Sequence, residues 1–276
     1  MFITRQEILR RFHAQVAAGK PVIGCGVGVG ISAKMAEAGG ADMIVICNAD
    51  RYCMAGRKSL AGLMPYGDAN DVVIKIAAEV LPVVKNIPVL AGVNGTDPFR
   101  VFPIFLKQLS EMGFSGVHNF PTVGLIDGNF RANLECADMG YDKEIEMIAV
   151  AHEMNLFTSP YVFDVNQAKA MVKAGADQLV IHMGLARVSA TGTFVPQTLE
   201  DAVARVIEIA EAGRNIRKNI LVTLHGGLFD ELENVEKALL RIPKIHGFLG
   251  SFSIECLPMA CAIRHQVESL KALAIA

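Results

Sequence analysis

The feature that most constrains this chain is a repeat: eight apolar, strand-like runs alternate with eight segments of helical period. The runs are PVIGCGV (21–27), ADMIVICN (41–48), IPVLAGVN (87–94), FSGVHNF (114–120), NLFTSPYVF (155–163), ADQLVIHMG (176–184), NILVTLHGG (219–227) and IHGFLGSFS (245–253). Most are apolar on both strand faces, as parallel strands covered on both sides require. Between them, segments such as NDVVIKIAAEVLPVVK and TLEDAVARVIEIAEAG repeat apolar residues every three and four positions. Each connection is long enough for a crossover helix.

Eight such units in 276 residues predict one α/β domain over residues 1–276, a single (β/α)8 TIM barrel. Residues 1–20 are expected to form an N-terminal helix that caps the bottom of the barrel. An open doubly wound sheet is the alternative, and it needs fewer strands or a second domain.

The first strand run leads into GCGVGVG (24–30), which invites a dinucleotide-binding reading. The spacing fails in both registers, because Val29 or Ile31 stands where the third glycine belongs. No nucleotide cofactor is expected. With 26 basic and 28 acidic residues and a net charge of −2, the chain has no field to attract nucleic acid or an anionic membrane. Six cysteines without a CxxC pair fit a reducing compartment. With neither a signal peptide nor a membrane-spanning run, the expected location is the cytoplasm.

In an eight-stranded α/β barrel the chemistry collects where the strands end. Those ends carry Gly26 and Gly28, Asn48, Asn94 and Asp97, His118, Tyr161, His182, His225 with Gly226 and Gly227, and Gly250 with Ser251 and Glu255. Strand alternation brings His182 into phase with Gln178 and Val180, and His225 with Leu221 and Thr223, so both can face the mouth. They are expected to transfer protons or bond a substrate oxygen. HGG and GSFS end the last two strand runs, where barrels commonly hold a phosphate on backbone N–H groups. Each of these positions also has an ordinary structural explanation as a turn or a core residue.

Residues 49–70 form the longest segment after a strand and are expected to be a lid, with Arg51 placed to clamp a carboxylate or phosphate. Its apolar stretches suit either a lid or a subunit interface.

The run SAKMAEAGGADMIVICNADRY, followed by MAGRKSLAGLMPYGDAN and continuing through AGVNGTDP, GFSGVHNFPTVGLIDG, VIHMGL and HGG, resembles the phosphoenolpyruvate hydrolase-like family. The resemblance covers nearly the whole chain. It implies a barrel of the phosphoenolpyruvate/pyruvate class, multi-subunit assembly as a homo-oligomer, and an anionic phosphoenolpyruvate- or phosphonopyruvate-like substrate.

On that reading the chain is a hydrolase or lyase for a small phosphorylated or phosphonylated keto acid. Gly226, Gly227, Gly250 and Ser251 hold the phosphoryl group, and Arg51 meets the carboxylate. His182 or His225 moves protons, while Asn48, Asn94, Asp97 and His118 orient the substrate. Magnesium is the candidate cofactor, with Asp97 as its ligand. The clustered acidic ligands and the KKCGH segment of better-understood relatives are absent from this sequence. A barrel that senses a small ligand without turning it over is the second reading.

Overall fold

The computed structural model describes residues 2–184 and 198–275. Leu185, which closes the VIHMGL stretch, lies outside them. Nine parallel strands form the sheet: β1 (Val22–Gly26), β2 (Met43–Ile46), β3 (Val89–Gly92), β4 (Gly116–His118), β5 (Phe157–Thr158), β6 (Tyr161–Val162), β7 (Gln178–His182), β8 (Leu221–His225) and β9 (Gly247–Gly250). Their spatial order is β5-β4-β3-β2-β1-β9-β8-β7-β6.

The two outermost strands are halves of the fifth predicted strand. Phe157 and Thr158 pair with β4, whereas Tyr161 and Val162 pair with β7. Pro160, which has no N–H to give a ladder, sits at the break. The Ser159 N–H bonds the Val117 carbonyl at 3.0 Å, and the Pro160 carbonyl accepts from Val180 at 2.9 Å. The short connection therefore closes the sheet into a barrel, and the eight expected strands become nine hydrogen-bonded segments.

The helices are α1 (Arg5–Ala17), α2 (Gly30–Ala38), α3 (Asn48–Met54), α4 (Ala69–Val80), α5 (Phe102–Met112), α6 (Gly128–Cys136), α7 (Tyr141–Glu153), α8 (Val165–Lys173), α9 (Leu199–Arg214), α10 (Leu232–Arg241) and α11 (Cys256–Lys271). Residues 49–70 are therefore not an open lid. They begin inside α3, and a 3-10 turn at Ser59–Leu63 packs back on it.

Alternation along each strand divides the core in two. On β2, Met43 and Val45 point into the barrel with Leu90, Phe157, Val180, Leu221 and Leu249. Ile44 and Ile46 point outward to the helices. The bottom is plugged by α1, whose Ile8 and Phe12 are buried, with the Phe12 ring edge-on to Phe157 at 5.7 Å. Arg5 fixes that plug through a bidentate pair to Asp177, both contacts at 2.8 Å.

α11, like α6, has no buried residue. Its Ile263, Val267 and Leu270 are more than half exposed.

Candidate active site at the barrel mouth

His182 and His225 are register partners on β7 and β8, and each ends an inward-facing series. With Gln178 and Thr223 bonded to one another at 2.7 Å deeper in the barrel, the two imidazoles stand side by side at the mouth, 4.6 Å between centroids. Tyr161, just past the Ser159–Pro160 break, lies among three histidine rings: His118 at 3.9 Å, His182 at 4.7 Å and His225 at 4.8 Å. Phe163 stacks on His182 at 5.0 Å.

Hydrogen bonds assign the tautomers. The His225 Nδ1–H donates to the Leu249 carbonyl at 2.7 Å, which leaves Nε2 to accept the Tyr161 hydroxyl at 3.1 Å. In His182 the polarity is reversed: Nδ1 accepts the Gly184 N–H at 2.9 Å, so Nε2 carries the proton. The His118 Nδ1–H donates to the Ser159 carbonyl, and its buried Nε2 has no partner among the described residues.

Burial disfavours the charged form of all three. It lowers His118 to about 3 and His225 to about 4, and it holds His182 well below the usual range. The mouth therefore presents neutral imidazoles of defined polarity.

Carboxyl groups follow β2 and β9 instead. Asp50, on the first turn of α3, accepts the Cys47 N–H at 3.0 Å and the Ser251 hydroxyl. Glu255 accepts the Gly28 N–H on both oxygens, at 2.9 and 3.0 Å. Burial raises Asp50 to about 6, and burial together with the Asp50 charge raises Glu255 to about 7. Asp230, beyond Gly227, is raised to about 6 by burial.

These contacts revise several expectations. A Cβ on Gly26 would lie 2.7 Å from the Ser251 Cβ, and one on Gly28 would strike the Asp50 backbone. Those glycines make room for the chain's own groups. A Cβ on Gly250 would meet Ile254 at 2.5 Å and Phe248 at 2.7 Å, so its neighbours are apolar. Gly226 and Gly227 have positive φ, and the missing Cβ of Gly226 lets His182 approach. Of the donors expected to hold a phosphate, the Ser251 hydroxyl is given to the Asp50 carboxylate.

Arg51 is drawn off to Glu79 at 2.6 Å. Asn48 gives its amide to the Gly62 carbonyl at 2.9 Å and keeps a buried, unpartnered Oδ1. Asn94 accepts the Thr96 hydroxyl at 3.0 Å.

The donor set around Asp97 does not fit magnesium. Its Oδ1 takes the Phe99 N–H at 2.9 Å, its Oδ2 takes Asn70 at 2.8 Å and Arg100 at 3.3 Å, and the arginine meets its charge. A magnesium shell calls for several hard oxygen donors free to coordinate. Among the described residues no group of three or more His, Cys, Asp or Glu side chains is placed to hold a metal ion.

Of two further participants, Asp50 belongs to the strand-end residues that the sequence offers, and Glu144 was not singled out in advance. Asp50 lies two residues beyond Asn48 and caps the α3 N-terminus. Glu144 sits on the buried face of α7 with Met147, Ile148 and Ala151; an acid in that apolar phase is its sequence signal. It binds Asn119 at 2.5 Å and the Val123 N–H at 2.8 Å, and burial raises it to about 8. Asn119 in turn accepts the Tyr161 N–H at 2.6 Å, so Glu144 supports the backbone that carries Tyr161.

Among solved structures, phosphonopyruvate hydrolase in complex with oxalate and Mg++ matches with a TM-score of 0.63 at 15% identity, covering 98% of this chain and 87% of that chain. For 2,3-dimethylmalate lyase, described as a PEP mutase/isocitrate lyase superfamily member, the TM-score is 0.62 at 16% identity, with 100% and 88% covered. The fold is thus a TIM barrel, shared with these two structures. The model of the phosphoenolpyruvate hydrolase-like family matches residues 7–273. This chain belongs to that family.

ToMV resistance protein Tm-1(GCR237) of Solanum lycopersicum is 51% identical over 271 residues, covering 98% of this chain and 36% of the relative. The putative transcriptional regulatory protein y4pA of Sinorhizobium fredii is 31% identical over 276 residues, covering 98% and 44%. The chain spans less than half the length of either relative.

Proposed function

We propose that this single-domain barrel is a hydrolase or lyase for a small keto acid of the phosphoenolpyruvate/phosphonopyruvate kind, working in the cytoplasm. The observation that carries this reading is the neutral His182–Tyr161–His225 cluster at the barrel mouth. The His182 Nε2–H suits a keto oxygen: a neutral imidazole can polarise a carbonyl and steady the enolate formed when a bond to the adjacent carbon breaks. Tyr161 and His225 supply a proton route, because a proton taken up at the Tyr161 oxygen releases its own to His225 Nε2. Charging His225, lowered to about 4, costs about 4 kcal/mol at pH 7, and a bound anion offsets that cost. Asp50 and Glu255 can hold a proton near neutrality.

Magnesium enters this reading through the structural neighbour alone, and no step is assigned to it. The expected homo-oligomer is supported by the bare apolar stripe of α11 and by a groove of about 590 Å³ beside its first turn, lined by Ile23, Val27, Met35 and Met259. A second reading, a barrel that binds its ligand without turnover, is favoured by one observation. Arg51, Arg100 and Arg131 are paired with Glu79, with Asp68, Asp71 and Asp97, and with Glu135.

Incubation with phosphoenolpyruvate, phosphonopyruvate and oxaloacetate, with and without magnesium, separates the two. Release of pyruvate, phosphate or oxalate supports the enzyme. Thermal stabilisation without product supports the binder.

A further inference from the structure

α11 stands on a narrow foot. Its first residue, Cys256, directs its thiol to the Cys53 carbonyl at 3.1 Å. Cys53 is buried on α3, while Cys256 is partly open to solvent, and neither is bonded to another cysteine. The pair therefore combines a reachable sulfur with a sheltered one, 203 positions apart in sequence.

We propose that Cys53 and Cys256 form a reversible disulfide site that staples the foot of α11 to α3. The proposal is independent of the reaction performed at the mouth. It concerns two walls of that mouth, because α3 begins with Asn48 and Asp50 and Glu255 directly precedes Cys256.

The chemistry balances with a low-molecular-weight disulfide as oxidant. The Cys256 thiolate attacks glutathione disulfide, which breaks its S–S bond and releases one glutathione thiolate. The Cys53 thiolate then displaces the second glutathione, forming the protein disulfide. Two electrons pass to the glutathione pair, and the two cysteine protons pass to solvent or to the departing thiolates. The groups around the pair are Asp50, Glu255 and Lys58. Burial and the two carboxylates push both thiols up while Lys58 opposes them, so the exchange accelerates as pH rises above neutrality.

The test incubates the whole chain with glutathione disulfide at pH 8.5, followed by non-reducing peptide mapping and thermal unfolding. A Cys53–Cys256 link, a rise in Tm of roughly 5–10 °C and reversal of both by dithiothreitol are the expected results. Cys256→Ser, which replaces a partly exposed residue and spares the buried one, must abolish the link and the shift together. Glutathione uptake at the exposed Cys136 and Cys261 with no Cys53–Cys256 link would overturn the proposal. So would a link that leaves Tm unchanged, or a shift that persists in Cys256→Ser.

Discussion

Tyr161 is the residue on which the mouth turns. Its ring touches His118, His182 and His225, its hydroxyl is given to His225, and its backbone is held through Asn119 by Glu144. Under the proposed chemistry, Tyr161→Phe and His225→Asn each lower kcat by about 100-fold or more, with KM changed far less. Steady-state kinetics on the substrate found above checks this, and equal losses in kcat and in Tm would point to structure alone. The histidines were legible in the sequence, because strand alternation places His182 and His225 on the inner face. Their tautomers were not, since these depend on the Leu249 and Gly184 backbones, which no spacing reports. The glycines misled for a physical reason. A missing Cβ looks the same in sequence whether it admits a phosphate or, as at Gly26 and Gly28, the chain's own Ser251 and Asp50.

At the level of elements, the break between β5 and β6 places Tyr161. Strand-like residues flank Ser159–Pro160, so the sequence reads as one strand, and only the pairing of each half with a different neighbour reveals two. The expected helix over residues 1–20 is present as Arg5–Ala17 and meets Phe157 at the opposite end of the barrel. Phe12→Ala removes a buried aromatic plug and is expected to cost about 3–5 kcal/mol in urea unfolding with little change in KM. A loss below 1 kcal/mol would show that α1 is not integral to the barrel. The lid expected after β2 is a helix and a 3-10 turn because Asp50 caps the N-terminus of α3, a role that a count of loop glycines and prolines conceals.

For the whole molecule, burial of ionisable groups at the mouth sets how stability follows pH. His225, lowered from 6.5 to about 4, binds fewer protons folded than unfolded, so its contribution is lost as pH falls from 6.5 through 4. His118 extends that loss towards pH 3. Glu144 and Glu255, raised from 4.5 to about 8 and about 7, act oppositely, and their contribution is lost as pH rises from 4.5 through those values. Tm is expected to peak between about pH 4.5 and 6.5 and to fall on both sides, with Glu144→Gln flattening the alkaline limb. A Tm that rises steadily to pH 8 would contradict this assignment. The barrel was readable from its repeat because eight crossover units admit few closed solutions. The acid–base character of the mouth depends on residues distant in sequence, such as Gly28 with Glu255 and Asp50 with Ser251.

The most direct test of the central claim is a product assay on phosphonopyruvate, phosphoenolpyruvate and oxaloacetate, comparing the wild-type chain with His225→Asn. Turnover of at least one compound by the wild type, reduced about 100-fold or more in the variant, is the result expected. Equal turnover by both, or no product from any compound with the wild type, would contradict it.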